Sequence, residues 1–171
     1  MELLGTHVPI SWSSLLVLLC GMLLSHPVGR WLARSLGWRR RASVVAWAGL
    51  SAVVALTVTP DGVLPGDQGH CSPGEIAQLW SEPLHGSGGI GGGMLNVLLF
   101  MPLGAALVVA SGRAWIAASV VVVLPVAIEV AQRSIPGRMC SFSDYLTNTA
   151  GGLLGIVLGV LVFTRRSTVD H

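Results

Sequence analysis

Five apolar runs, each about 17–21 residues long, take up most of this chain, and as helices they match the ~30 Å of hydrocarbon at the centre of a bilayer. They fall at about Val8 to Val28, Ser43 to Thr59, Gly93 to Ala110, Ala114 to Ala131 and Asp144 to Phe163. Backbone polar groups in lipid have no water to turn to, so such runs fold as helices that satisfy their own hydrogen bonds. The expected fold is all-α: a polytopic membrane helical bundle of about five transmembrane helices, forming a single membrane domain over residues 1–171. A mean hydropathy of +0.72 and a charged fraction of only 11% agree with it. The second and fourth runs are short for a span, which tilt or interfacial Trp31, Trp38, Trp47 and Trp115 would accommodate. Ser25-His26-Pro27 is expected to end the first run. With no basic residues ahead of it and no clear small-residue cleavage site, that run reads as a retained helix rather than a cleaved signal peptide.

All ten basic residues are arginines, and their placement is very uneven. Arg30, Arg34, Arg39, Arg40 and Arg41 crowd between the first two runs, whereas residues 60–92 hold Asp61, Asp67, Glu75 and Glu82 and nothing basic. By the positive-inside rule the first loop is cytoplasmic and residues 60–92 form an extracytoplasmic loop. The N-terminus is then outside and the C-terminus cytoplasmic, with Arg113 in an inner turn and Arg165 and Arg166 on an inner tail. Only Arg133 and Arg138 lie outside, against eight arginines inside. The arginine cluster reads as a topology determinant, and nothing in it points to nucleic acid. Six glycines in the eight residues from Gly86 to Gly93 lack the Lys-Ser or Lys-Thr of a phosphate loop and read as a flexible linker.

The stretch from Glu129 to Asn148 concentrates Glu129, Gln132, Arg133, Arg138, Asp144 and Asn148 between two apolar runs. Ionisable groups beside a bilayer core are costly and mark functional sites. Glu129, Gln132 and Arg133 are spaced i, i+3 and i+4, which puts them on one helical face, and Pro125 can kink that helix toward the bundle interior. Asp144, Asn148 and Gly152 recur every four residues along the fifth run as a second polar face, and Asn96 sits at similar depth in the third. Arg138 lies in the connecting loop, where its planar fork suits a carboxylate or a phosphate. Mutual satisfaction of these groups as helix glue is the bland alternative to a pocket. Gly151, Gly155 and Gly159 form a ridge of small residues suited to close packing, with a partner inside the bundle preferred over a second copy.

Of three cysteines, Cys20 lies within the first run, as a packing residue. Cys71 and Cys140 both fall in outer loops, where disulfides persist, and are expected to pair.

The run Asn96-Val-Leu-Leu-Phe-Met-Pro-Leu-Gly104, then Glu129-x-x-Gln132, Gly137-Arg138 and Asp144-x-x-x-Asn148-Thr-x-Gly151, resembles the signature of the VanZ-like membrane family. The resemblance covers a core of about 93–159, and Met1 to Gly92 carries no such motif. It implies a small multi-pass protein of the bacterial cell membrane without an established catalytic activity, related to an accessory protein of glycopeptide resistance that lowers susceptibility to teicoplanin. It places the family's shared polar positions on Asn96, Glu129, Gln132, Arg138, Asp144 and Asn148. Arg133 joins them from spacing alone. Many members carry more acidic residues after the arginine, where this chain has Ser141 and Ser143. Hard cations favour several carboxylates, so no metal is expected, and no cofactor.

Together these readings give an accessory or binding protein rather than an enzyme. Its outward polar pocket would engage membrane lipids: an anionic envelope lipid, a cell-wall lipid precursor or a lipoglycopeptide antibiotic. The alternative is a membrane enzyme acting on such a lipid, with Glu129 or Asp144 as acid/base and Arg138 binding phosphate. No nucleophile-plus-base pair stands in the motif region to support it.

Overall fold

A computed structural model describes residues 2–3, 6–7, 11–59, 89–135 and 141–169. Apart from a hairpin of two two-residue strands that pairs Glu2 with His7 and Leu3 with Thr6, the regular structure of the described chain is helical. Its helices are α1 (Trp12–Leu36), α2 (Arg40–Thr57), α3 (Gly89–Ser111), α4 (Ala114–Gln132) and α5 (Phe142–Val169). Four are long and apolar enough to cross a membrane: Trp12–Leu36, Gly93–Ser111, Ala114–Gln132 and Phe142–Val162. Leucine and valine side chains point outward along α1 and along α5 as far as Val162, as lipid-facing helices require.

The fifth helix, α2, falls short of that hydropathy because it carries Arg40 and Arg41 in its first turn and Ser43, Ser51 and Thr57 further on. Those hydroxyls are not lipid-facing liabilities. Ser43 donates to the Arg39 carbonyl at 3.0 Å, Ser51 to Trp47 at 2.9 Å and Thr57 to Val53 at 2.7 Å, each reaching back to the preceding turn. The helix lies between α1 and α3, sheltered by both. Trp47, expected at an interface, instead donates its indole N–H to the Gly21 carbonyl of α1 at 3.2 Å.

The first run does not stop at Ser25-His26-Pro27. α1 continues through Pro27 to Leu36 and ends where Gly37 turns left-handed at φ 69°. A proline removes one backbone bond without obliging a long helix to end. Likewise Gly89 to Gly93, read as linker, form the opening of α3, and a Cβ on Gly93 would approach Thr147 of α5 to 3.3 Å.

Small residues set the helix pairings. α1 and α2 run antiparallel in register: Ser14 Oγ and Thr59 Oγ1 share a 2.6 Å hydrogen bond at one end, Gly21 abuts Ser51 in the middle, and Gly29 faces Val44 at the other end. α3 and α5 run parallel and form the most extensive interface. Gly151 meets Val97, Gly155 meets Met101 and Gly159 meets Ala105. Contacts stepping by four residues on both helices are those of small-residue ridges that let backbones approach closely. The glycine ridge of α5 therefore packs inside the bundle, as its spacing predicts. Phe100 and Leu103 of α3 are completely buried, with Val53 of α2 and Val121 of α4, so α3 is the centre of the core.

Two turns close the arginine end. The Arg39 N–H donates to the Ala110 carbonyl at 2.9 Å, which brings the α1–α2 turn beside the α3–α4 turn that carries Arg113. Pairing α3 and α5 in parallel carries the start of both helices to the opposite end.

Candidate functional site

That opposite end gathers most of the polar residues singled out above. Ser141 precedes the first residue of α5, and its Oγ accepts from the Asp144 N–H at 3.4 Å, as a helix N-cap does. The Ser141 N–H donates in turn to Glu129 Oε2 of α4 at 2.8 Å. The Glu129 carboxylate thus lies against the N-terminus of a neighbouring helix, where unsatisfied amides and the positive end of the macrodipole favour an anion. Asp144 occupies the first turn of α5, on the same electrostatic grounds. Asn96 of α3 donates to Asp144 Oδ1 at 3.1 Å and reaches Thr147 Oγ1 at 3.4 Å. An unbroken series, Glu129 to Ser141 to Asp144 to Asn96, therefore ties three helices together.

Gln132, one turn beyond Glu129, donates to the Thr57 carbonyl at 2.9 Å, one of the final carbonyls of α2 that has no partner within its own helix. Glu129 and Gln132 are each 7% exposed and Asn148 2%. Among the described residues Glu129 Oε1, Gln132 Oε1, Asn148 Oδ1 and Thr149 Oγ1 are buried without a hydrogen-bond partner. A buried acceptor left unsatisfied costs roughly 1–3 kcal/mol, so mutual satisfaction does not account for the whole group.

Arg133 departs from the expected common face. It is the C-cap of α4 and is exposed, because the buried line of α4 runs through Pro125, Ile128, Glu129 and Gln132 and the helix ends before its next turn. A guanidinium on a long stem reaches water readily from such a position. Arg138, with Gly137, Cys71 and Cys140, lies outside the described residues, as do the residues of the proposed disulfide loop. Among the described residues Cys20 is a free, exposed thiol on α1.

Two participants escaped sequence reasoning. Ser141 is the hub between Glu129 and Asp144, and its signal was readable as a Ser-x-x-Asp pattern ahead of an apolar run. The Thr57 carbonyl carried no signal, since every residue has one.

Parallel and antiparallel helices packed through glycines, an apolar exterior and a polar cluster confined to one end define a polytopic integral membrane protein. The VanZ/LLP1 family model matches residues 11–163, and the chain belongs to that family. The match includes α1 and α2, although Met1 to Gly92 carries none of the motifs quoted above. No curated protein and no solved structure matches the chain.

Proposed function

We propose that this VanZ-family protein is an accessory or binding protein of the bacterial cell membrane, oriented with its polar cluster outward. Its site engages an anionic envelope lipid, a cell-wall lipid precursor or a lipoglycopeptide antibiotic, the last linking it to glycopeptide resistance. The supporting observation is the series from Glu129 through Ser141 and Asp144 to Asn96, joined from three helices and flanked by buried acceptors with no partner. Asn96, Glu129, Gln132, Asp144 and Asn148 form the floor of the site in this reading. Arg133 and Arg138 supply the positive charge that an anionic head group needs. Direct binding of a labelled lipoglycopeptide or anionic lipid to the purified protein is expected to fall at least tenfold in Arg138→Ala. It is expected to persist in Arg113→Ala, which alters the other end. Equal binding by both variants would remove the site from the account.

Catalysis on such a lipid is the second reading, with Glu129 or Asp144 as general base and Arg138 on the phosphate. The Glu129 carboxylate favours it, because one oxygen is held by the Ser141 N–H and the other has no partner among the described residues. Incubation with labelled envelope lipids tests it, and unchanged substrate across head groups rejects it.

A further inference from the structure

Three of the four orphaned side-chain oxygens share one property, the fourth being the Thr149 hydroxyl. Glu129 Oε1 is a carboxylate oxygen, and Gln132 Oε1 and Asn148 Oδ1 are amide oxygens, all on side chains more than nine-tenths buried. The amide oxygens can only accept hydrogen bonds, and so can an ionised carboxylate. Of the donors described beside them, Gln132 Nε2 is engaged on the Thr57 carbonyl, Asn96 Nδ2 on Asp144 and Thr147, and the Ser141 N–H on Glu129 itself, which leaves the Thr149 hydroxyl and the Asn148 amide as the groups there that can still donate. A phosphate diester brings only further acceptors and would meet mostly acceptors at this depth, none of them offset by a positive charge. An anionic head group therefore does not enter here by its charge.

We infer that the buried end of the site takes the donor-bearing part of its ligand, the hydroxyls of a polyol head group, while the ligand's anion stays toward the aqueous edge. This rests on the proposed reading of the cluster as a lipid head-group site. Hydroxyls suit the acceptor set because two of its three members are neutral amide oxygens, which take an O–H bond without bringing a second charge into the membrane interior. An ammonium would have to recover its desolvation largely from one carboxylate oxygen. A hydroxyl that meets an orphaned acceptor also removes a cost the protein otherwise carries.

The test compares two lipids with the same acyl chains and the same single negative charge, phosphatidylglycerol and phosphatidylpropanol, whose three-carbon heads differ in the two hydroxyls. The purified full-length protein is exposed to equal amounts of both, and retained lipid is counted by native mass spectrometry. Phosphatidylglycerol is expected to be retained about tenfold over phosphatidylpropanol, the size of two hydroxyl hydrogen bonds. Asn148→Leu, close in shape but without an acceptor, should lower that ratio to about threefold, the size of the one hydroxyl bond that is left. Arg113→Ala should leave it unchanged. Equal retention of both lipids by the wild type overturns the inference while leaving a lipid site standing. A preference for phosphatidylethanolamine over phosphatidylcholine that exceeds the glycerol effect overturns the choice of hydroxyl in favour of ammonium. Retention of neither anionic lipid overturns the inference together with the binding function beneath it. The wild-type comparison needs no variant, so a variant that fails to assemble does not decide the outcome.

Discussion

At the scale of single residues, glycine decides how near these helices come. A Cβ on Gly155 would run into the Met101 carbonyl oxygen, a backbone atom with no rotamer to yield, whereas a Cβ on Gly49 would find its nearest neighbour, Leu103 Cα, at 3.5 Å. Gly155→Ala is therefore expected to destabilise the protein by about 1–3 kcal/mol through overpacking, read as a lower thermal midpoint in detergent. Gly49→Ala should be neutral or stabilising by up to ~1 kcal/mol, because alanine is the better helix former. Matching midpoints for the two variants would contradict the close approach of α3 and α5. The spacing of Gly151, Gly155 and Gly159 was legible in sequence as a packing ridge, but its partner was not. Spacing fixes which residues share a face and carries nothing about which helix comes to cover it. The same holds for Glu129, Gln132 and Arg133. Their periodicity placed them together, and the end of α4 separated the exposed arginine from the two buried acceptors.

At the scale of elements, the site depends on where helices start and stop. Ser141 caps α5 through the Asp144 N–H and offers its own N–H to Glu129, so one residue both begins a helix and binds it to α4. Ser141→Ala removes the cap but keeps the backbone donor, and is expected to cost about 0.5–2 kcal/mol in thermal or chemical unfolding. Ser141→Gly should cost only a few tenths by the same measurement. An unchanged stability of Ser141→Ala would mean that the hydroxyl is not the capping group. Element boundaries were less legible than element existence. All five runs became helices, yet α1 runs on past Pro27 and α3 opens within its glycines. Local propensity disfavours both, and helix length and neighbouring contacts outweigh it. α2 is the reverse case: its serines and threonine make it less apolar than the other helices, and bonds back to its own carbonyls make them compatible with burial between two neighbours.

At the scale of the whole molecule, arginines and the polar cluster occupy opposite ends. The Arg39 to Ala110 bond gathers the turns bearing Arg34, Arg39, Arg40, Arg41 and Arg113 at one end, and Asn96, Glu129, Gln132 and Asp144 lie at the other. If the arginine end is cytoplasmic, a cysteine at Ser134 in a cysteine-free background should react in intact cells with an impermeant maleimide. A cysteine at Gly112 should react only after the membrane is opened. The opposite pattern would turn the site to the cytoplasm and remove an outer-leaflet ligand from consideration. Sequence alone determined the class of the molecule, since runs of spanning length admit helices and little else in lipid, and its motifs already carried the family resemblance. It also named most of the polar residues, because charge beside apolar runs is rare enough to stand out. Only the tertiary structure decided that α3 and α5 lie parallel in glycine contact, that Ser141 and the Thr57 carbonyl complete the cluster, and which oxygens remain unpaired. Hydrogen-bond satisfaction depends on what other segments bring within about 3 Å, and that is settled only when the helices pack.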